Sequence, residues 1–182
     1  MTEELKYEKL VAFHGHSCPG LATGYRMTRA ALAFLGVKRA YDEELVAIVE
    51  NDACGVDALQ YLSGCTFGKG NLLFKDYGKS VYTLYSRQSG RGVRVLFDLD
   101  RVPEKLREDR DRYRDWLLRV PDDEILVLQE VRVEEPAHAA VRESVRCDRC
   151  GEHVMATRTR QKTGRTLCIP CAEETEKRRG SR

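Results

Sequence analysis

Long apolar runs are missing from this chain: none approaches the ~20 residues that a bilayer-crossing helix needs. A secretory start is missing too, because Met1-Thr2-Glu3-Glu4-Leu5-Lys6 is charged rather than basic and then apolar. A cytoplasmic protein without membrane contact is the expectation. No ferredoxin-like cysteine run and no dinucleotide glycine fingerprint occur, which removes any evident means of relaying electrons or holding a nicotinamide. Internal repeats and low-complexity blocks are lacking, apart from the basic end Lys177-Arg178-Arg179-Gly180-Ser181-Arg182. Nor is there a large excess of one charge. The net +2 divides into −3 over residues 1–140 and +5 over 141–182, a modest pull toward acidic partners rather than a strong nucleic-acid footprint.

What is present is cysteine, seven in 182 residues. The odd number, with four in paired Cys-x-x-Cys spacing, fits metal ligation in a reduced compartment better than a disulfide framework. A chain of this length, 42% apolar, can bury one ordinary core and leave ~40 residues for a small second module. The division expected is a core over 1–136, a linker over 137–145 and a metal module over 146–182.

The spacing predicts a short helix over Glu3 to Phe13 and, after Gly15, a second from Pro19 to Leu35, stopped by Gly36. Leu45 to Val49 reads as a buried strand, followed by a helix from Ala53 to about Leu62 that Asn51 or Asp52 can cap. Leu72–Phe74, Ser80–Ser86 and Val93–Asp98 read as an antiparallel meander, and Pro103 opens a charged helix to about Arg119. Glu124 to Val133 alternates as a half-exposed strand, and Ala137 to Val145 reads as linker or short helix. The fold class expected is α+β, a mostly antiparallel sheet with packed helices.

Cys147-Asp148-Arg149-Cys150, seventeen further residues, then Cys168-Ile169-Pro170-Cys171 is the spacing of a tetrahedral Zn²⁺ site. A hairpin turning at Lys162–Arg165 and a final helix from Cys171 would complete a treble-clef-like finger. The zinc would replace a core too small to fold alone. Arg158, Arg160, Lys162 and Arg165 offer a basic face to a protein or nucleic acid, although such a run is commonly a solvated surface. His153 is a surface residue once four thiolates are present.

Chemistry in the core gathers in three segments: His14-Gly15-His16-Ser17-Cys18-Pro19-Gly20, Asp52-Ala53-Cys54-Gly55-Val56-Asp57 and Gly64-Cys65-Thr66-Phe67-Gly68-Lys69-Gly70. His14, His16 and Cys18 alternate, so an extended loop would place them on one side. Cys18 at a helix N-terminus favours thiolate, with histidine either sharing a metal or holding the proton of a Cys-His pair. The alternative is a small buried Cys18 with histidines at helix ends. Cys54 and Asp57 share a helix face, which suits a ligand with a carboxylate partner. Cys65 precedes a glycine loop in which exposed N–H groups and Lys69 can hold an anion. This loop is not a P-loop, since three residues separate Gly64 from Gly68 and Gly70 stands where Ser or Thr would bind Mg²⁺.

The segments Phe13–Tyr25, Asp52–Gln60 and Gly64–Leu72, with Asp76-Tyr77-Gly78-Lys79 after them, resemble the FmdE family of formylmethanofuran dehydrogenase proteins over roughly residues 8–100. The resemblance implies an α+β core followed by a treble-clef zinc finger, a homodimer, and a link to molybdenum or tungsten formylmethanofuran chemistry in methanogenic metabolism. It also implies a metal-capable pocket at His14, His16, Cys18, Cys54 and Cys65. The expectation is therefore a metal-binding accessory protein of C1 metabolism, with structural zinc in the finger and a second transition metal, zinc or another, in the core. In a stand-alone activity Cys18 or Cys65 would be nucleophile or metal-thiolate, His14 or His16 the base and Asp57 the orienting group. The rival expectation is an adaptor whose finger docks a protein or nucleic-acid partner.

Overall fold

A computed structural model describes residues 3–180, with side chains placed for residues 7–176. The basic end noted at Lys177–Arg182 falls outside the placed side chains. Packing divides the chain into two units, 1–139 and 140–182.

Helix α1 (Glu3–His14) leads into Gly15, whose φ of +97° turns the chain out of the helix. Helix α2 (Pro19–Leu35) begins at Cys18, whose extended backbone and Sγ accepting from the Leu21 N–H make it the N-cap. Gly36 in the left-handed region closes α2. After β1 (Leu45–Val49) come α3 (Gly55–Ser63), β2 (Leu72–Phe74), β3 (Val81–Ser86) and β4 (Arg91–Phe97). Short helices α4 (Glu104–Arg107), α5 (Arg110–Leu117) and α6 (Asp122–Ile125) precede β5 (Leu126–Val131).

The five strands form one sheet in the order β2-β1-β3-β4-β5. Only β1 and β2 are parallel; β1/β3, β3/β4 and β4/β5 are antiparallel. This corrects the expected meander, because β2 sits at the far edge beside β1 rather than against β3. The helix expected from Pro103 to Arg119 is also interrupted: the Asp109 carboxylate accepts from the Asp111 and Arg112 N–H groups and starts a new helix there. No helix forms over 137–145. Arg87 donates to the Pro136 and Ala137 carbonyls, and Glu43 accepts from the Ala139 N–H, so the first unit is strapped down as far as its last residues.

Helix α2 lies on the sheet face that presents Leu45, Ala47, Val49, Leu84, Val93 and Val95, each at most 2% exposed. Each large aliphatic buried there stabilises the unit by ~1.5–3 kcal/mol. Within this apolar layer Arg26 is buried, its guanidinium donating to the Leu117 and Val120 carbonyls and pairing with Asp122. It fastens α2 to the chain leaving α5. Gly24 and Gly55 meet where α2 crosses α3: a Cβ on Gly24 would stand 2.2 Å from the Gly55 carbonyl oxygen. Two glycines thus let the backbones approach closely enough to bring the N-termini of α2 and α3 together.

The second unit contains β6 (Ser144–Arg146) paired with β7 (His153–Met155), a hairpin of β8 (Thr159–Lys162) and β9 (Arg165–Cys168), and α7 (Ile169–Gly180). Thr163 and Gly164 both have positive φ, 48° and 75°, the geometry of a type I′ hairpin turn. Among the described residues its buried hydrophobic cluster is Cys147, Leu167, Cys168 and Ala172, with Val154 and Cys171 packed against it. Among the described residues no helix is long and apolar enough to cross a membrane.

Candidate metal centres

The crossing of α2 and α3 sets the first centre. Cys18 and Cys54 are the N-cap residues of these helices, so the crossing brings two thiols together at two helix N-termini. Gly20 keeps the space between them open, since a Cβ there would lie 3.4 Å from Cys54 Cβ and 4.0 Å from Cys18 Sγ. His14 ends α1, Gly15 reverses the chain, and the His16 ring packs against that of His14 with centroids 4.5 Å apart. One ligand atom from each of His14, His16, Cys18 and Cys54 falls within 4.8 Å of the others. The set grades from buried Cys18 through half-buried His14 and Cys54 to exposed His16.

Asp57, one turn into α3, bonds His14 Nδ1 at 2.7 Å through Oδ2. Its other oxygen accepts from Gln60 Nε2, and Gln60 Oε1 accepts from the Phe67 N–H. A relay of hydrogen bonds therefore runs from the histidine to the 64–70 loop. His14 Nε2 is buried and has no hydrogen-bond partner among the described residues. An orphaned ring nitrogen costs roughly 1–3 kcal/mol, and ligation of a cation by that atom, with the carboxylate behind Nδ1, removes the penalty. Two imidazoles and two thiols suit zinc or another borderline transition metal. Burial first, then the adjacent Cys18 thiol, pushes the Cys54 thiol above its ordinary value in the metal-free chain. Metal binding would displace that proton.

Other residues singled out from sequence lie elsewhere. Cys65 is fully buried in the main apolar core and is not among the four clustered ligands. Burial lifts its thiol to about 11. Lys69 Nζ donates to the Asp42 carbonyl at 2.7 Å. Asp52 does not cap α3; the turn before it is made by Asn51 Oδ1 accepting from the Ala53 N–H.

The structure adds features that pattern alone did not single out. Tyr82 on β3 is buried, and its hydroxyl sits against Gly55, where a Cβ would be 2.5 Å away. Burial, then the Cys54 and Asp57 charges, raises its pKa well above the usual tyrosine value. A groove of about 410 Å³ opens beside the cluster, lined by His14, Asp57 and Gln60 together with Asn51, Asp52, Phe67 and Phe74. The signal for it was two aromatic residues, Phe67 and Phe74, flanking glycine-rich and charged sequence.

The second centre is formed by Cys147, Cys150, Cys168 and Cys171, whose sulfurs also lie within 4.8 Å of one another. Backbone N–H groups of Cys150, Cys168 and Arg149, in that order, hold the Cys147 thiol down to about 6. The last cysteine behaves oppositely: the neighbouring Cys168 thiol pushes Cys171 up to about 12.

A core that delivers two cysteines and two histidines to one point, followed by a four-cysteine finger, defines a two-module protein with two metal-ligating clusters. Residues 13–141 match the family model described as FmdE, molybdenum formylmethanofuran dehydrogenase operon, and the chain belongs to that family. Residues 142–177 match the prokaryotic dksA/traR C4-type zinc finger. Among solved structures, a tungsten formylmethanofuran dehydrogenase FmdE-like protein from Syntrophus aciditrophicus superposes with a TM-score of 0.69 at 29% identity, covering 94% of this chain and 92% of that one. A curated relative from Archaeoglobus fulgidus, described as a probable S-adenosyl-L-methionine-binding protein, is 33% identical over 189 residues, which cover 88% of this chain. The chain spans about half the length of that relative.

Proposed function

We propose that the core cluster is a resident metal centre and that this FmdE-family protein uses it in C1 metabolism, beside a molybdenum or tungsten formylmethanofuran dehydrogenase. The observation carrying the first part is the buried, unpartnered Nε2 of His14 inside a set of two thiols and a second imidazole. His14, His16, Cys18 and Cys54 would hold the ion, and Asp57 would fix the His14 tautomer. The link to C1 chemistry rests on the family and on the named tungsten-enzyme relative. A homodimer, a larger enzyme complex and a treble-clef finger with structural zinc belong to the same reading.

The rival role, an adaptor working through the finger, has less support. Lys162 pairs with Glu176 at 2.5 Å, Arg165 donates to the Asp148 carbonyl, and Arg149 pairs with Glu174, so much of the basic surface is engaged internally. Metal counting separates the readings. The wild-type chain is expected to carry two metals and Cys18→Ser or His16→Ala one, with the fold retained. One metal in the wild type, unchanged in both variants, would leave the finger as the sole site and favour the adaptor.

A further inference from the structure

We infer that the groove beside the core cluster binds an organic ammonium, a protonated amine carrying a flat or aliphatic apolar arm. Its walls are Val49, Val56, Leu72, Phe67 and Phe74, and among the described residues no lysine or arginine lines it. Phe67 is 78% and Phe74 46% exposed, an apolar surface that folding does not require and that a ligand would cover. Its polar end is acidic. Asp57 is committed to His14 and Gln60, whereas the carboxylate of exposed Asp52 makes no hydrogen bond or ion pair among the described residues. With a neutral two-thiolate zinc site, the Asp52 and Asp57 carboxylates are the formal charges that line the groove. Aromatic faces beside a free carboxylate are what attracts an ammonium.

The carboxylates do not stand alone. His14, its side chain only 10% exposed, lines the same groove, and the metal its buried Nε2 would hold stands at the groove's inner end. The relay through Gln60 to the Phe67 N–H also fixes one aromatic wall relative to the metal ligands. A groove of about 410 Å³ is within the size range of small-molecule sites. The inference deepens the metal-centre reading by naming what that site would take, and it rests on that reading for the amine's place beside a metal.

The test is a two-dimensional amide NMR titration of the zinc-loaded full chain with benzylamine, benzyl alcohol and benzoate, with metal counted in every sample. Benzylamine is expected to shift the Ala53 and Phe67 amides saturably, with Kd in the range of about 1–10 mM for so small a probe. Asp52→Asn is expected to weaken benzylamine by roughly three- to ten-fold while leaving benzyl alcohol unchanged. Phe67→Ala should weaken both. Benzoate binding as tightly as benzylamine, no saturable shift with benzylamine, or an Asp52→Asn chain that binds benzylamine as the wild type does would each overturn the inference. Metal content decides the other reading separately. Two metals without amine binding defeats the groove alone, and one metal with amine binding intact defeats the metal centre alone.

Discussion

Replacing Gly24 by alanine tests whether the helix crossing builds the core centre. The new methyl would stand 2.2 Å from the Gly55 carbonyl oxygen, 2.3 Å from its Cα and 2.6 Å from its carbonyl carbon. Non-bonded heavy atoms of this kind settle at ~3.5 Å, so α2 and α3 must part by about 1 Å. All three obstructing atoms are backbone, and no rotamer change relieves them. Overpacking costs ~1–3 kcal/mol, and this case belongs at the upper end. Alanine in mid-helix returns ~1 kcal/mol through helix propensity, which leaves a net loss of about 2 kcal/mol. Because Cys18 and Cys54 cap the two helices that separate, the core metal should be lost or bound far more weakly. Finger metal should stay. Denaturant unfolding followed by circular dichroism, with metal counting on the same samples, measures both effects. Gly68→Ala, where a Cβ meets nothing within 4 Å and φ is not positive, should lie within ~0.5 kcal/mol of wild type. A Gly24→Ala chain as stable as wild type with two metals bound would refute the reasoning.

Asp57→Asn should weaken the core metal by about 10–100-fold through loss of the charged partner of His14, read by chelator competition; unchanged affinity would remove Asp57 from the centre. Arg26→Met strands the buried Leu117 and Val120 carbonyls and the Asp122 carboxylate. Unfolding should show a loss of ~3 kcal/mol, against less than ~0.5 kcal/mol for a surface arginine such as Arg110. Acidification should loosen the strap at residues 138–139, which Glu43 holds. The Ala139 N–H, followed by His138, holds the Glu43 carboxyl below its ordinary value. Its stabilisation is therefore complete above the unfolded value and disappears as pH falls through the lower folded one. Protection of the Ala139 amide from hydrogen exchange should fall over that window and be absent at all pH values in Glu43→Ala, which has no side-chain acceptor. Persistence of protection in that variant would show the strap to be held otherwise.

The residue types that carry the chemistry were legible in the sequence because their signals are local. Pro19 after Cys18 marks a helix start, paired Cys-x-x-Cys spacing marks the finger, and Asp57 three residues after Cys54 marks a shared face. What was not legible depends on distant partners. A three-residue strand such as Leu72–Phe74 does not record whether its neighbour runs parallel or antiparallel. Asp109 sits within a helical pattern, and only its capping bonds reveal the break. Cys65 belongs to the same glycine-rich segment as an exposed loop, yet its thiol packs as a small apolar side chain in the main core. The Asp42 carbonyl that Lys69 meets lies twenty-seven positions away in the chain. The Gly24–Gly55 contact joins residues thirty-one positions apart, and nothing near either glycine in the sequence announces it.

The most direct test of the central claim is X-ray absorption at the zinc edge on purified, reduced, full-length protein carrying two metals per chain. A four-sulfur finger and a core of two sulfurs and two nitrogens together give an average shell of three sulfurs and one nitrogen, at ~2.3 and ~2.0 Å. Cys54→Ser should remove the nitrogen and leave a single four-sulfur metal. A wild-type chain that holds one metal with sulfur alone would contradict the core centre.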